Sequence, residues 1–346
     1  MRKLLKWLIR LEQSVRHWLK ESSPFSHYFY DLKNTQLFEM PSSHEAMLAD
    51  GERIDKYYEG IQRRIRKGDI VLDLGTGTGI LSFFAARLAG KVYAVEHSSV
   101  IEVAKKVCAE NKFNNIEFFR CNSRDLHLPI KVDAIIHEQI GAGNPFSENM
   151  IENLLDARDR LLKAGGRIVP NRFEIYLEPI ELKDAYRIPF LWEFTIKSVS
   201  FQSLRPTLES LPATGRRIIP GHSRVVAPHA VKRCLCIPKP IFRFDLEAMN
   251  EGDLSKRVCY RNTADQDGRI DGLCLYFKAF FDDEVSIENS PMGLANHWAL
   301  RMFRIEATEV GRGDVVEYDL EIDSFIDDST WALTWLQPKA RTRSQD

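Results

Sequence analysis

The sequence predicts two structural parts, an α/β domain built on a parallel sheet followed by an antiparallel β domain, and two observations support this. Between residues 69 and 170, short apolar runs alternate with longer amphipathic stretches, which is typical of parallel strands joined by covering helices. After residue 170, helical periodicity is rare, and short β-rich runs are separated by Gly, Asp and Asn turns. Ligands of such α/β domains bind at the carboxyl ends of the parallel strands, so we expect a binding site there.

The predicted elements follow in order along the chain. In the first part, strands are predicted at 69–75, 91–98, 116–121 and 131–139, helices at 79–90, 100–113 and 148–166, and an extended run at 167–182. In the second part, strands are predicted at 272–282, 298–308, 314–323 and 330–337. The predicted divisions are an N-terminal segment (1–40), an α/β domain (41–170) and a β-barrel or sandwich domain (171–346) with an insertion at about 185–232. This proline-punctuated insertion is expected to be an excursion from the β domain, for which a helical arm is the hypothesis.

Composition and charge narrow the functional classes. The chain has 346 residues, and 48 Lys+Arg against 49 Asp+Glu leave no overall field that favours nucleic acid. No apolar run approaches the ~20 residues of a membrane span. Six scattered cysteines, with one Cys-X-Cys at 234–236, favour reduced structural thiols over a metal site, and we expect a cytoplasmic location.

The N-terminus, MRKLLKWLIRLEQSVRHWLKE, has the pattern of an amphipathic helix. Its apolar residues share one face, and its basic residues lie mostly elsewhere. Charges interrupt it every few residues, so it lacks the core of a signal peptide. Such a helix could lie on an anionic membrane surface, but we favour packing on the body of the protein or on a partner subunit.

Residues 71–80, VLDLGTGTGI, place glycine at every second position where the first strand meets the first helix. A glycine turn lets a ligand approach backbone N–H groups at a helix N-terminus. The spacing differs from the Gly-x-Gly-x-x-Gly fingerprint of dinucleotides. Asp73 just before the loop suits an ammonium group, and Glu96 at the end of the second strand suits two ribose hydroxyls. S-Adenosyl-L-methionine offers both groups, so we predict it as the cofactor.

Two acids follow the fourth strand. Glu138 ends this strand, and Glu148 comes ten residues later at the start of the next predicted helix. Two carboxylates that bracket a slot suit a guanidinium, which is planar and offers several N–H donors. An acid in the first turn of a helix also complements the helix dipole, so spacing alone leaves the role of Glu148 open.

Several segments resemble, in order, the motifs of protein arginine methyltransferases. They are HEAMLADGER (44–53), VLDLGTGTGILSFFAA (71–86), AVEHS (94–98), HEQIG…ENM (137–150), DARDRLLKAGGRIVP (156–170) and NHW (296–298). The resemblance runs from about residue 40 to the C-terminus. It implies a Rossmann-like methyltransferase domain followed by a β-barrel domain, whose inserted helical arm forms a homodimer. It also implies methyl transfer to a guanidino nitrogen of an arginine-containing protein, a peptide or a guanidino metabolite.

The resemblance assigns roles to individual residues. For the cofactor, Met47 and Arg53 match positions that cover it and pair with its carboxylate. Asp73, Gly75, Thr76 and Gly77 match the loop that binds its methionine part. Glu96 matches the acid that binds its ribose, and Glu138 is also assigned to the cofactor site. For catalysis, the matching residues are Glu138 and Glu148 of a substrate hairpin, and His297, which with Trp298 forms a loop presented by the barrel.

Some residues depart from the family pattern. The two glutamates are ten apart where nine is usual, and the hairpin tip between them, GAGNPF, is small and expected to be flexible. Arg124 stands where the family has an adenine-contacting acid, so Asn122 or Ser123 is expected to supply that contact. Asn296 replaces a threonine. Two alternatives therefore stay open: a methyltransferase for an amine or hydroxyl of a small metabolite or peptide, and a non-catalytic cofactor-binding scaffold.

Overall fold

The structure, a computed structural model, describes residues 41–205, 216–218, 223–293 and 298–339. The predicted N-terminal helix of residues 1–40 lies outside these ranges, as do Asn296 and His297. Among the described residues, no helix is both long and apolar enough to cross a bilayer.

The first domain is a five-stranded parallel sheet flanked by helices. Its strands are β1 (Ile70–Leu74), β2 (Lys91–Glu96), β3 (Ile116–Arg120), β4 (Val132–His137) and β5 (Leu162–Val169). Its helices are α1 (Pro41–Ala49), α2 (Gly51–Arg64), α3 (Ile80–Ala86), α4 (Ile101–Glu110) and α5 (Met150–Leu161). The strand order β3-β2-β1-β4-β5 reverses direction beside β1, which opens a crevice at the carboxyl ends of β1 and β4.

The predicted helix over 148–166 is wrong at both ends. Helix α5 begins at Met150 after Asn149, which has a left-handed backbone, and it ends at Leu161. Residues 162–169 form β5 instead, and the register of β5 against β4 shifts between its first and later pairs. Gly165 lies in this irregular stretch with φ of 70°, a conformation that glycine adopts without strain.

The second domain is antiparallel. Its strands are β6 (Arg172–Leu182), β7 (Thr195–Ile196), β8 (Val199–Ser200), β9 (Arg216–Ile218), β10 (Ser223–Val226), β11 (Val231–Cys234), β12 (Phe242–Asp245), β13 (Arg257–Thr263), β14 (Gly268–Phe280), β15 (Ser286–Glu288), β16 (Leu300–Val310), β17 (Val315–Glu321) and β18 (Ala332–Lys339). In the described residues they form a seven-stranded sheet around β10-β16-β14-β6-β11, a four-stranded sheet β13-β17-β18-β9, and the pair β7-β8. The order of a parallel α/β domain followed by an antiparallel domain is thus confirmed, and closure into a barrel stays a prediction.

The described parts of the 185–232 segment contain no α-helix, so the helical-arm hypothesis is wrong for them. They hold short 3-10 turns and the β7-β8 hairpin, whose turn residues Lys197 and Ser198 have φ of 47° and 68°. Two consecutive left-handed residues are what a two-residue hairpin requires and what a helix excludes. Strand β10 and the start of β11 belong to the seven-stranded sheet.

Helix α2 packs closely on the second domain. A Cβ atom placed on Gly60 would lie 2.3 Å from Cδ1 of Phe281, in the loop after β14. The rings of Tyr57 and Phe281 meet edge to face with centroids 4.9 Å apart. Arg63 forms ion pairs with Asp282 and Glu284 at the end of the same helix. The absence of a side chain at residue 60 therefore fixes how close this helix can come to the β domain.

We expect Gly60→Ala to destabilise the protein by about 1–3 kcal/mol, because the added methyl group overpacks a buried contact. Alanine has a higher helix propensity than glycine. Without the packing contact, the substitution would therefore stabilise the protein by about 1 kcal/mol. Thermal unfolding measures the difference. Gly51→Ala is the matched control, since nothing lies within 4 Å of the Cβ position at this first residue of α2. Equal melting temperatures for both variants would contradict the packing argument.

Candidate active site

A cavity of about 180 Å³ lies at the carboxyl ends of the parallel strands. It is lined by ten of the residues that the sequence singles out: Met47, Arg53, Gly75, Thr76, Gly77, Glu96, Asn122, Ser123, Glu138 and Glu148. Asp73 is not among the lining residues, and His297 lies outside the described chain. Residues of α1, α2, α3 and α5 and of the loops after the strands thus meet in one space, at the crevice beside β1.

The glycine loop between β1 and α3 forms one wall of the cavity. Gly75 and Gly77 have φ of 78° and 53°, which side-chain-bearing residues rarely adopt. A Cβ on Gly77 would lie 3.3 Å from Cε1 of His44, so α1 also closes tightly on the loop. The backbone is therefore exposed to a ligand where a side chain would otherwise intrude.

Asp73 lies beneath this loop and not in the cavity wall. It is fully buried, and its Oδ2 accepts hydrogen bonds from the hydroxyls of Thr76 and Ser82, both at 2.7 Å. Burial raises the pKa of Asp73 to about 6, against the lowering effect of these two donors. Its other oxygen, Oδ1, has no hydrogen-bond partner among the described residues. The side chain holds the loop in shape, and its contact with a ligand ammonium stays a prediction.

Glu96, at the end of β2, is held in place by backbone donors. Its Oε1 accepts from the N–H of Ser98 at 2.9 Å, and its Oε2 accepts from the N–H of Gly77 at 3.2 Å. The side chain is 7% exposed and lines the cavity. A carboxylate fixed at a strand end has spare lone pairs for two hydroxyl donors.

Asn122 and Ser123 line the opposite end of the cavity, at the start of the 3-10 turn Ser123–Asp125. The Oδ1 of Asn122 caps this turn by accepting from the N–H of Arg124 at 3.0 Å. The carbonyl of Ser123 accepts from Arg160 of α5, also at 3.0 Å. The turn is thereby anchored to the domain, and contact of Asn122 or Ser123 with adenine stays a prediction.

Three parts of the chain meet at Arg53. Its guanidinium forms an ion pair with the Oε2 of Glu138 and lies over the ring of Trp298, 4.5 Å from the centroid. The indole N–H of Trp298 donates to the carbonyl of Ile140 at 3.0 Å. Helix α2, the hairpin after β4 and the β domain are therefore locked together at the cavity.

The two glutamates are half-buried side chains that line the same cavity. Desolvation raises the pKa of Glu138 most strongly, and the nearby Arg53 offsets part of this rise. Desolvation also raises the pKa of Glu148, and the charge of Glu138 raises it further. The Oε1 of Glu138 is buried without a hydrogen-bond partner among the described residues. The pair is thus an unbalanced acidic site that a cation would stabilise.

Glu148 precedes the N-cap residue Asn149, so it is not in the first turn of α5, where the helix-dipole explanation placed it. The left-handed backbone of Asn149, with φ of 53°, turns the chain sharply between the glutamate and the helix. Glu148 and Glu138 line the same cavity.

The hairpin tip GAGNPF is packed against the β domain, so the expectation of a flexible tip is wrong. Phe146 is 2% exposed and lies among the rings of Phe242, Phe244 and Phe325. The amide nitrogen of Asn144 donates to the carbonyl of Phe325 at 2.8 Å. Small residues surround the large side chain of Phe146, and the packing of this ring holds the hairpin against the β domain.

Sequence reasoning missed several polar residues of the cavity. Tyr57 lies four residues after Arg53, and hence one turn further along the same face of α2, so helical spacing was the available clue. His44, His97 and Gln139 also line the cavity. The sequence analysis singled out residues next to these three, but nothing in the local sequence pattern indicated that these side chains face the cavity.

Comparisons with known proteins agree with this geometry. Residues 65–187 match the family model described as "Methyltransferase domain". The chain is 30% identical to protein arginine N-methyltransferase 6 of Danio rerio over 294 residues, which cover 81% of each chain. It is 31% identical to protein arginine N-methyltransferase 1 of Oryza sativa over 276 residues, covering 76% of this chain and 67% of the relative.

Solved structures show the same fold. The Trypanosoma brucei PRMT1 enzyme–prozyme heterotetrameric complex with AdoHcy matches with a TM-score of 0.68 at 23% identity, covering 82% of this chain and 88% of the other. Protein arginine methyltransferase 10 of Arabidopsis thaliana matches with a TM-score of 0.65 at 22% identity, covering 83% and 89%. Together with the relatives above, these findings show that the chain is a methyltransferase that belongs to the protein arginine N-methyltransferase family.

Proposed function

We propose that this protein transfers the methyl group of S-adenosyl-L-methionine to a guanidino nitrogen of arginine in a protein or peptide. The observation that carries this proposal is the pair of half-buried carboxylates with raised pKa values, Glu138 and Glu148, in the cavity that also contains the glycine loop and Glu96.

The residues present fit this cofactor. The left-handed glycines leave backbone open to a ligand, and Glu96 is fixed by two backbone donors with lone pairs to spare. The unpartnered Oδ1 of Asp73, under the loop, adds negative charge where an ammonium group would be stabilised. When bound, the cofactor supplies a methyl group on a positively charged sulfur.

The acid pair fits a guanidinium acceptor. Two carboxylates in low dielectric repel each other and lose hydration, so their ionised forms need a compensating cation. Arg53 pairs with one oxygen of Glu138 and its charge lowers the pKa of Glu148 in part, but no hydrogen bond from the described residues lowers the pKa of Glu148. A planar cation with several N–H donors can satisfy both side chains at once.

The contribution of these residues to the reaction is mainly positional. The glutamates hold the guanidinium so that one nitrogen faces the methyl donor, and correct placement of reactants can supply ~7–11 kcal/mol of a barrier. An arginine side chain has a pKa above ~12, so its proton is expected to leave only after the C–N bond forms. Burial raises the pKa of Glu138 to about 7, which suits this carboxylate to accept that proton near neutral pH.

The 185–232 segment is the proposed dimer contact. In its described part, six large apolar side chains are more than half exposed: Ile188, Leu191, Ile196, Val199, Leu204 and Val225. Apolar side chains clustered on a projecting segment are typical of protein interfaces. The hairpin β7-β8 carries two of them at its tip.

For the cofactor, we expect Glu96→Gln to weaken binding of S-adenosylhomocysteine by about tenfold to a hundredfold, because a charged acceptor of two hydroxyl bonds is lost. Isothermal titration calorimetry measures the affinity. Glu117→Gln is the control, since this exposed residue of the neighbouring strand pairs only with Lys91 on the surface. Equal affinities for both variants would remove Glu96 from the cofactor site.

For the chemistry, we expect Glu138→Gln to lower turnover of an arginine peptide by about a hundredfold or more, since an under-paired buried cation costs ~3–5 kcal/mol. Binding of S-adenosylhomocysteine should persist. Mass spectrometry of the peptide, with a lysine-substituted peptide as acceptor control, measures the product. Glu59→Gln, an exposed site on α2, is the control variant. Full turnover by Glu138→Gln, or methylation of the lysine peptide alone, would refute the proposal that the two glutamates hold a guanidinium.

For the assembly, we expect Ile196→Ser with Val199→Ser to shift the protein from dimer to monomer, because the change removes the two exposed apolar side chains at the hairpin tip. Mass photometry of the full chain measures the species. Val103→Ser alters an exposed apolar residue on α4 and should leave the mass unchanged. A dimer that survives the double substitution would move the interface elsewhere.

A further inference from the structure

The hydroxyl of Tyr57 is buried without a hydrogen-bond partner among the described residues. The side chain is 1% exposed and lines the cavity that contains the two glutamates. It projects from α2 one helical turn after Arg53, whose guanidinium already contacts Glu138. Tyr57 therefore lies in the same cavity as the two glutamates.

Packing explains the ring of Tyr57 but not its hydroxyl. The ring meets Phe281 edge to face, and Gly60 on the same helix leaves room for that contact. Phenylalanine would make the same contact and would avoid the stability cost of a buried, unsatisfied hydroxyl. Because the buried Tyr57 hydroxyl lowers the stability of the protein without a ligand, we expect its hydrogen-bond partner to be a bound ligand.

The charged groups around the hydroxyl indicate that partner. The charges of Glu138, Arg53, Glu148 and Asp73 all act on Tyr57, with Glu138 the strongest. Burial and the Glu138 charge raise the pKa of the phenol, so it keeps its proton at neutral pH. The Oε1 of Glu138 is also buried and has no hydrogen-bond partner among the described residues. A donor and an acceptor are thus both unsatisfied at one end of one cavity.

We propose that the Tyr57 hydroxyl is the third polar wall of the acceptor slot, where it accepts an N–H bond from the acceptor guanidinium and donates its own proton to a glutamate carboxylate. This inference rests on the proposed arginine acceptor. A guanidinium has five N–H donors, and two carboxylates plus one hydroxyl oxygen take up more of them than the carboxylates alone. The hydroxyl also favours the ionised form of the glutamate to which it donates.

The test is Tyr57→Phe, compared with Tyr58→Phe. The neighbouring Tyr58 is an exposed residue whose ring packs on Phe84 at the surface, so its variant controls for loss of any hydroxyl from α2. We expect kcat/KM for an arginine peptide to fall about tenfold to a hundredfold in Tyr57→Phe, the usual effect of losing a bond to a charged group. Affinity for S-adenosylhomocysteine should not change, and the melting temperature should stay equal or rise.

The pH profile separates this role from a structural one. Arg53 and Asp50 also act on Glu138, and both are retained in the variant. Removing a donor from a carboxylate raises the carboxylate pKa, so the acid limb of kcat/KM against pH should move to higher pH in Tyr57→Phe.

Wild-type kcat/KM and an unshifted acid limb in Tyr57→Phe would overturn the inference, and so would a loss of activity that parallels a lower melting temperature or weaker cofactor binding. Failure of the proposed function is distinguishable, because the wild-type enzyme itself would then leave the arginine peptide unmethylated.

Discussion

The buried ion pair between Arg53 and Glu138, stacked on Trp298, is the interaction on which the site depends. The three side chains come from different parts of the chain: helix α2, the end of β4 and the segment just before β16 in the β domain. Removing one partner would leave the other charged in low dielectric, at a cost of ~3–5 kcal/mol. The pair therefore connects the α/β domain to the β domain beside the proposed acceptor site.

The same pair shows that a guanidinium fits against a carboxylate of this cavity. Arg53 is itself a guanidinium, and Glu138 binds it with one oxygen while the other stays unpartnered. Planar cations are thus compatible with the shape and charge of this end, while the fixed carboxylate of Glu96 and the open backbone of Gly75 and Gly77 suit a nucleoside. A single cavity with two chemically distinct ends is what group transfer between a charged donor and a charged acceptor needs.

Buried polar atoms without partners lower the stability of the fold at the site, and close packing around the site compensates for this cost. Asp73, Glu138 and Tyr57 each bury an atom without a hydrogen-bond partner in the described chain. The surrounding structure holds these groups in place through close packing, as at Gly60 against Phe281 and at Phe146 among the aromatic rings of the β domain. For Glu138 and Tyr57, which line the cavity, a bound ligand is the partner that we propose.

The sequence alone determined the alternation of strands and helices, the glycine loop and the identity of the two glutamates, because these depend on local spacing and on residue type. Only the tertiary structure decided that Tyr57 shares their cavity, that Trp298 lies under Arg53, and that Phe146 anchors a hairpin expected to be loose. It also replaced the expected helix in the described part of the arm with turns and a hairpin. Except in the arm, the deciding contacts join residues about 80 to 245 positions apart, as in Trp298 with Arg53 and Phe146 with Phe325, and no local pattern encodes which distant side chain will complete a buried environment.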